Sequence, residues 1–260
     1  MRRSPNSGTP TMLLPISLKM YLSYTETLDW AWSVREMWAG LDADIHDRVT
    51  LAVLPSFPAI ADMRRILNGS GIHWGAQDLA WADSGPYTGE VSPADLAQLD
   101  CTFAETGHAE RRTLFHETDD TVLRKNIAAF RNGLTPIVCV GEPNRGPASA
   151  ALAECQQQLI HTLPHHTEAT GSAVIAYEPK WAIGAAEPAP LEHIAHVYQG
   201  LSEWLPAAFP QLSTKVIYGG SAGPGLLSAL DGNADGLFLG RFAHDVSALQ
   251  TIICEAAKLG

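Results

Sequence analysis

With 260 residues, 46% of them hydrophobic, the chain can fill one large core or two modest ones. Its formal charge of −11 supplies no basic field of the kind a phosphate backbone demands, which excludes nucleic acid as a general partner and leaves small anions open wherever charge is locally arranged. Four cysteines, Cys101, Cys139, Cys155 and Cys254, show neither CxxC nor paired-ligand spacing, so neither a disulfide nor a zinc framework is expected and a reducing cytoplasm fits best.

The opening MRRSPNSGTP is basic, then rich in Ser, Pro and Gly, and residues 1 to about 11 are expected to form a disordered tail. The apolar stretch after it, MLLPISL, is too short and broken for a signal peptide. No run approaches the ~18 apolar residues of a membrane span, so a soluble protein is expected. From residue 12 onward short apolar runs recur, each the length of a buried strand and most followed by a polar residue. LLPIS (13–17) precedes Lys19, VTLAVL occupies 49–54, and IHWGA (72–76) precedes Gln77. CTFAE (101–105) leads to His108, PIVCV (136–140) to Glu142, and AVIAY (173–177) to Glu178. KVIYG (215–219) leads to Ser221 and GLFLG (236–240) to Arg241.

Between the runs lie stretches of helical period. Ala31, Val34, Trp38 and Leu41 make one apolar face, and Leu191, Ile194, Val197, Leu201 and Trp204 make another. Runs apolar on successive residues suit strands covered on both faces, hence a parallel sheet wrapped by helices. Eight such units in ~250 residues match a closed (β/α)8 barrel, with 12–260 as one domain; a doubly wound open sheet is the alternative. The polar residues favour the barrel. They sit at the carboxyl ends of the runs, which a barrel gathers on one face and an open sheet spreads along a line.

Alone, Glu178 in AYEPKWAIG would be an ordinary loop carboxylate. Together, Lys19, His108 and Glu178 supply a fixed cation, a neutral N–H donor and a base, the parts needed to remove a proton next to a carbonyl. His108 lies in ETGHAERR, where Gly107 ends a strand and Ala109-Glu110-Arg111 opens a helix; a helix N-terminus disfavours a charged imidazole. YGGSAGPG (218–225) and DGLFLGRF (235–242) follow the seventh and eighth runs, where barrels place phosphate on backbone amides. Ser221 has no GxSxG elbow, which argues against a nucleophilic hydrolase. His165-His166 and the His193/His196 spacing lie away from the strand ends and are set aside as metal ligands.

These residues resemble the triosephosphate isomerase family. SLKM, GAQD with GPYTGEVS, TGHAERR, PIVCVGE, AYEPKWAIG, YGGS and DGLFLG follow in the family's order over nearly the whole chain after the tail. The resemblance implies a well-known division of labour, with a carboxylate base, a neutral histidine and a closing loop. Glu178 would shuttle the proton, His108 would polarise the carbonyl, Lys19 would hold the substrate electrostatically, and Glu110 would support the catalytic end of its helix. Pro179, Lys180, Trp181, Ala182, Ile183, Gly184, Ala185 and Ala186 would form a lid that brings the Gly184 amide onto the phosphate. Ser221 and Gly240 would complete the phosphate cradle. Tyr87, Thr88, Gly89 and Glu90 resemble the loop by which family members dock into a second subunit, implying a homodimer. No metal or organic cofactor is implied.

The sequence departs from the family pattern at Ser17, usually Asn, where a substrate-facing amide becomes a short hydroxyl. Leu18, Tyr21 and Ala109 also differ, and the lid ends in Ala185-Ala186 where Thr-Gly is usual. Arg241 replaces the second glycine of a phosphate turn; in a glycine-like φ it would cost about 1 kcal/mol or more, and its guanidinium would either offset this by pairing with phosphate or point to solvent and narrow the pocket. The reading is an aldose–ketose phosphate isomerase, on triose phosphates first. The alternatives are an isomerase of a related sugar phosphate such as erythrulose phosphate in polyol catabolism, reached by changes at Ser17 and Arg241, and a non-catalytic sugar-phosphate sensor.

Overall fold

A computed structural model describes residues 11–165 and 169–260 of the chain. The expected tail, apart from Thr11, lies outside the described residues, as does His166. Seven strands, β1 (Met12–Ser17), β2 (Val49–Leu54), β3 (His73–Ala76), β4 (Phe103–Thr106), β5 (Thr135–Val140), β6 (Gly171–Tyr177) and β7 (Leu212–Tyr218), form one parallel sheet in sequence order. Each expected run is present within one to three residues, except the last.

That run, 236–239, closes the barrel without forming a regular strand. It makes isolated parallel bridges, Leu13 to Gly236, Ile16 to Leu239 and Tyr218 to Leu237. The reason lies in β1. Leu13 donates to the Asp235 carbonyl (2.9 Å), Leu237 donates to Leu13 (3.1 Å), Leu239 donates to Pro15 (2.8 Å) and Ser17 donates to Leu239 (2.9 Å). Pro15 has no N–H, so the rung it would give to the Leu237 carbonyl is missing and the ladder is split. On the other flank Phe238 donates to Tyr218 (2.8 Å) and Tyr218 to Gly236 (3.2 Å). Gly236, at φ +152, packs so closely on the Leu13 backbone that a Cβ would overlap it. The architecture is a (β/α)8-type barrel of seven regular strands and one closing segment.

Alternation along the strands divides the apolar residues into an interior and a shell. Leu13, Leu54, Phe103, Ile137, Val174 and Phe238 point into the barrel, while Leu14, Ile16, Leu51, Val53, Val138 and Ile175 pack outward against helices. The helix Tyr24–Ala39 begins at a capping box in which Ser23 and Glu26 bond each other's backbone amides, and it buries Ala31, Val34 and Trp38. The helix Leu191–Ala208 buries Ile194, Val197 and Leu201. Each such aliphatic side chain contributes about 1.5–3 kcal/mol against exposure. Leu191 itself is exposed and Trp204 half-buried, so this apolar stripe is narrower than the sequence pattern. All four cysteines are free. Among the described residues no helix is long and apolar enough to cross a membrane.

Candidate active site

Lys19 follows β1 in a left-handed backbone conformation, φ +50, which a non-glycine residue holds only when its surroundings fix it. The Gln77 side-chain amide does so, donating to the carbonyls of Lys19 and Leu54 at 3.0 Å each. Lys19 Nζ is 2.7 Å from Glu110 Oε1. Burial works against its charge, but the bond to Glu110 and the fields of Glu110, Glu178 and Glu105 outweigh it and hold the ammonium above its ordinary pKa. Glu110 therefore meets Lys19 directly, in addition to sitting in the first turn of its helix.

His108 is the N-cap of the helix Ala109–Leu114. Gly107, at φ +68, turns the chain out of β4 to put it there. His108 Nδ1 accepts the Glu110 backbone N–H at 3.1 Å. A nitrogen that accepts carries no proton, so the neutral ring has its N–H on Nε2. Nε2 lies 3.6 Å from Glu178 Oε2, beyond a hydrogen bond, and both atoms are buried without a partner. A donor and an acceptor are thus each left without a hydrogen-bond partner beside the cavity that both residues line.

Glu178 directly follows β6 and is buried. Burial pushes its carboxyl above the usual range, against the pull of His108 and Lys19 and a hydrogen bond from the Cys139 thiol. Its position requires a glycine beside it: a Cβ on Gly219 would lie 2.7 Å from Glu178 Cγ. The first glycine of YGGS therefore admits the carboxylate, and the second makes room for the Tyr218 hydroxyl.

A cavity of about 260 Å³ brings together Ser17, Lys19, His108, Glu110, Glu178, Ile183, Gly184, Ser221, Gly240 and Arg241, with Tyr21, Phe238 and Phe242 as apolar walls. Arg241 opens a 3-10 turn, Arg241–His244, and its φ is not positive, so the strain expected of an arginine in a glycine position is absent. Its Nη2 donates to the Ala185 carbonyl (2.9 Å), as does Ser221 Oγ (2.8 Å). Two donors from adjacent loops hold the same lid carbonyl at the cavity's edge.

In the lid segment Pro179 leads from Glu178 into a 3-10 turn, Lys180–Ala182. Gly184 at φ +71 and Ala186 are exposed. Trp181 Nε1 donates to Glu142 Oε1 at 2.8 Å; the Tyr177 hydroxyl donates to the same carboxylate, and His193 Nε2 lies 3.1 Å from it. Tyr87, Thr88, Gly89 and Glu90 do not line the cavity and are exposed.

Reading the sequence missed one residue of this region. Glu105 lies in β4, two positions after inward-facing Phe103, and is buried at 3% exposure. It accepts the Ser17 hydroxyl at 2.8 Å. Read as the end of an apolar run it carries no signal; read by alternation it is a carboxylate pointing into the barrel. Among the described residues no group of three or more His, Cys, Asp or Glu is placed to hold a metal.

The chain is 47% identical over 250 residues to a protein of Pectobacterium atrosepticum named L-erythrulose-1-phosphate isomerase, covering 95% of this chain and 96% of that one. It is 37% identical over 249 residues to a triosephosphate isomerase of a Mycobacterium species (strain JLS), covering 92% and 94%. The solved triosephosphate isomerase of Bartonella henselae superposes with a TM-score of 0.77 at 24% identity, over 95% of this chain and 99% of that one, a likeness of fold. The pattern of the triosephosphate isomerase family matches residues 12–256, and the chain belongs to that family.

Proposed function

We propose that the protein isomerises L-erythrulose 1-phosphate by proton transfer through an enediolate. The observation that carries the chemistry is the pair of unpartnered atoms, His108 Nε2 and Glu178 Oε2, facing each other across 3.6 Å. The substrate is favoured by the relatives: 47% identity to the erythrulose-phosphate enzyme against 37% to the triosephosphate isomerase. The triose reading, which the motifs alone put first, becomes the second choice.

L-erythrulose 1-phosphate is dihydroxyacetone phosphate with a hydroxymethyl group added to the carbon that loses its proton. Glu178 takes that proton. Lys19 and the His108 N–H stabilise the oxygens that carry developing charge, and the low-dielectric cavity strengthens both interactions. Returning the proton to the neighbouring carbon moves the carbonyl one place and gives erythrulose 4-phosphate. Gly184, Ser221, Gly240 and the Arg241 guanidinium hold the phosphate, so Arg241 and Ser221 exchange the Ala185 carbonyl for substrate oxygens. Closure of 179–186 excludes water from the enediolate. A homodimer is part of the same reading, supported by Met20, next to Lys19, at 92% exposure, and by the exposed Leu114 and Phe115 at the end of the helix that His108 caps.

The test is kcat/KM on L-erythrulose 1-phosphate beside glyceraldehyde 3-phosphate. A preference for the four-carbon ketose is expected. Faster triose turnover would make the enzyme a triosephosphate isomerase, and phosphate-sugar binding without proton exchange from solvent would make it a sensor.

A further inference from the structure

Glu105 stands beside the apolar interior residues Leu13, Phe103 and Ile137, its carboxylate lies behind the cavity wall, and it accepts the Ser17 hydroxyl. Ser17 lines the cavity and Glu105 does not. The pair spans the barrel from β1 to β4, 88 residues apart in sequence, so neither local backbone nor turn chemistry calls for it. A buried carboxylate beneath a catalytic centre is costly, and a serine whose proton it accepts has its remaining lone pairs free for an incoming donor.

We propose that Ser17 and Glu105 act as a pair that recognises the hydroxyl of the substrate's added hydroxymethyl group. Glu105 is a positioning residue: it commits the Ser17 proton away from the cavity and so fixes the Ser17 oxygen as an acceptor. The substrate hydroxyl donates to that oxygen. A serine is also smaller than the asparagine of the family pattern by about the bulk of a hydroxymethyl group, so one change supplies both the room and the acceptor. A site built to pair a hydroxyl discriminates against the analogue that lacks it, whereas space alone does so weakly. The inference rests on the four-carbon reading above.

The groups facing Glu105 are Ser17 and Lys19 from the β1 end, His108 after its own strand, and Glu178 from β6. The last three are assigned to the reaction, which leaves the Ser17 and Glu105 contact as the one with no role in proton transfer.

The experiment measures kcat and KM separately on L-erythrulose 1-phosphate and on dihydroxyacetone phosphate for the wild type, Ser17→Ala, Glu105→Leu, the double variant and Glu105→Gln. The readout is the ratio of kcat/KM between the two substrates, which a loss of folded or active protein leaves unmoved. Ser17→Ala and Glu105→Leu are each expected to lower the ratio about tenfold, mainly through KM on the four-carbon substrate. The double variant is expected to fall no further, since the two act as one unit. Glu105→Gln keeps an oxygen able to accept the Ser17 proton and is expected to retain the ratio. A wild type that prefers the triose overturns the proposed function itself. A wild type that prefers the four-carbon ketose, with a ratio unmoved in both single variants or falling additively in the double, overturns the pair and leaves the function standing.

Discussion

Replacing Glu105 by Gln should stabilise the protein, and the gain should grow with pH. Burial pushes the Glu105 carboxyl from 4.5 up to about 7, with the field of Glu178 adding to it and His108, Ser17 and Lys19 opposing. The folded state therefore binds this proton more tightly than the unfolded chain does. Stability from the group is fully present below the unfolded pKa and is lost as pH rises to the folded value, near 7. At about 1.4 kcal/mol per pH unit, the interval between 4.5 and about 7 amounts to roughly 3 kcal/mol once both states are ionised. A glutamine of the same shape has no charge to bury. Urea unfolding of wild type and Glu105→Gln at one protein concentration should give nearly equal stabilities at pH 5 and a lead of roughly 2–3 kcal/mol for the variant at pH 8.5. Equal stabilities at both pH values, or a variant weakened at pH 8.5, would mean that the carboxylate is well solvated or better paired than its burial implies.

Glu178→Gln should abolish exchange of the substrate's carbon-bound proton with solvent deuterium, and Glu178→Asp should lower kcat by about 10²-fold or more with KM changed only a few-fold; equal losses in both parameters would count against its role as base. Because burial raises the Glu178 carboxyl and the base must be ionised, kcat/KM of the free enzyme should fall, as pH drops, at a higher pH than an ordinary glutamate would give. A break in the pH–rate profile at the ordinary glutamate value would contradict the burial argument. Arg241→Gly should weaken competitive inhibition by inorganic phosphate by about tenfold, since a charge-assisted bond to the anion is lost. Unchanged inhibition would confine Arg241 to holding the Ala185 carbonyl.

The candidate site was legible in the sequence because each of its charged residues lies just past an apolar run, and barrel topology gathers such positions on one face, where Lys19, His108 and Glu178 line one cavity. Those three stood out as a set, since none of them is distinctive alone. The closing segment 236–239 was less legible. Its composition is that of a strand, but its regularity depends on a neighbour in β1, and Pro15 there removes a rung. Arg241 misled in the opposite sense: the family pattern suggests a glycine-like φ, whereas the chain begins a 3-10 turn at that residue and spares the arginine any strain. Ser17 was visible as a departure yet uninterpretable alone, because what it does depends on Glu105 across the barrel. A group that acts through the shared chemistry can be found by its place along one strand, since every member of the fold presents it at the same end. A group that selects the substrate works through a pair whose members sit on different strands, and only the closed barrel shows that Ser17 and Glu105 touch. If that pair sets the preference, grafting Ser17 alone onto a barrel with an apolar residue at the Glu105 position would enlarge the cavity without supplying a fixed acceptor. Such a graft should raise tolerance for the larger sugar far more than preference for it.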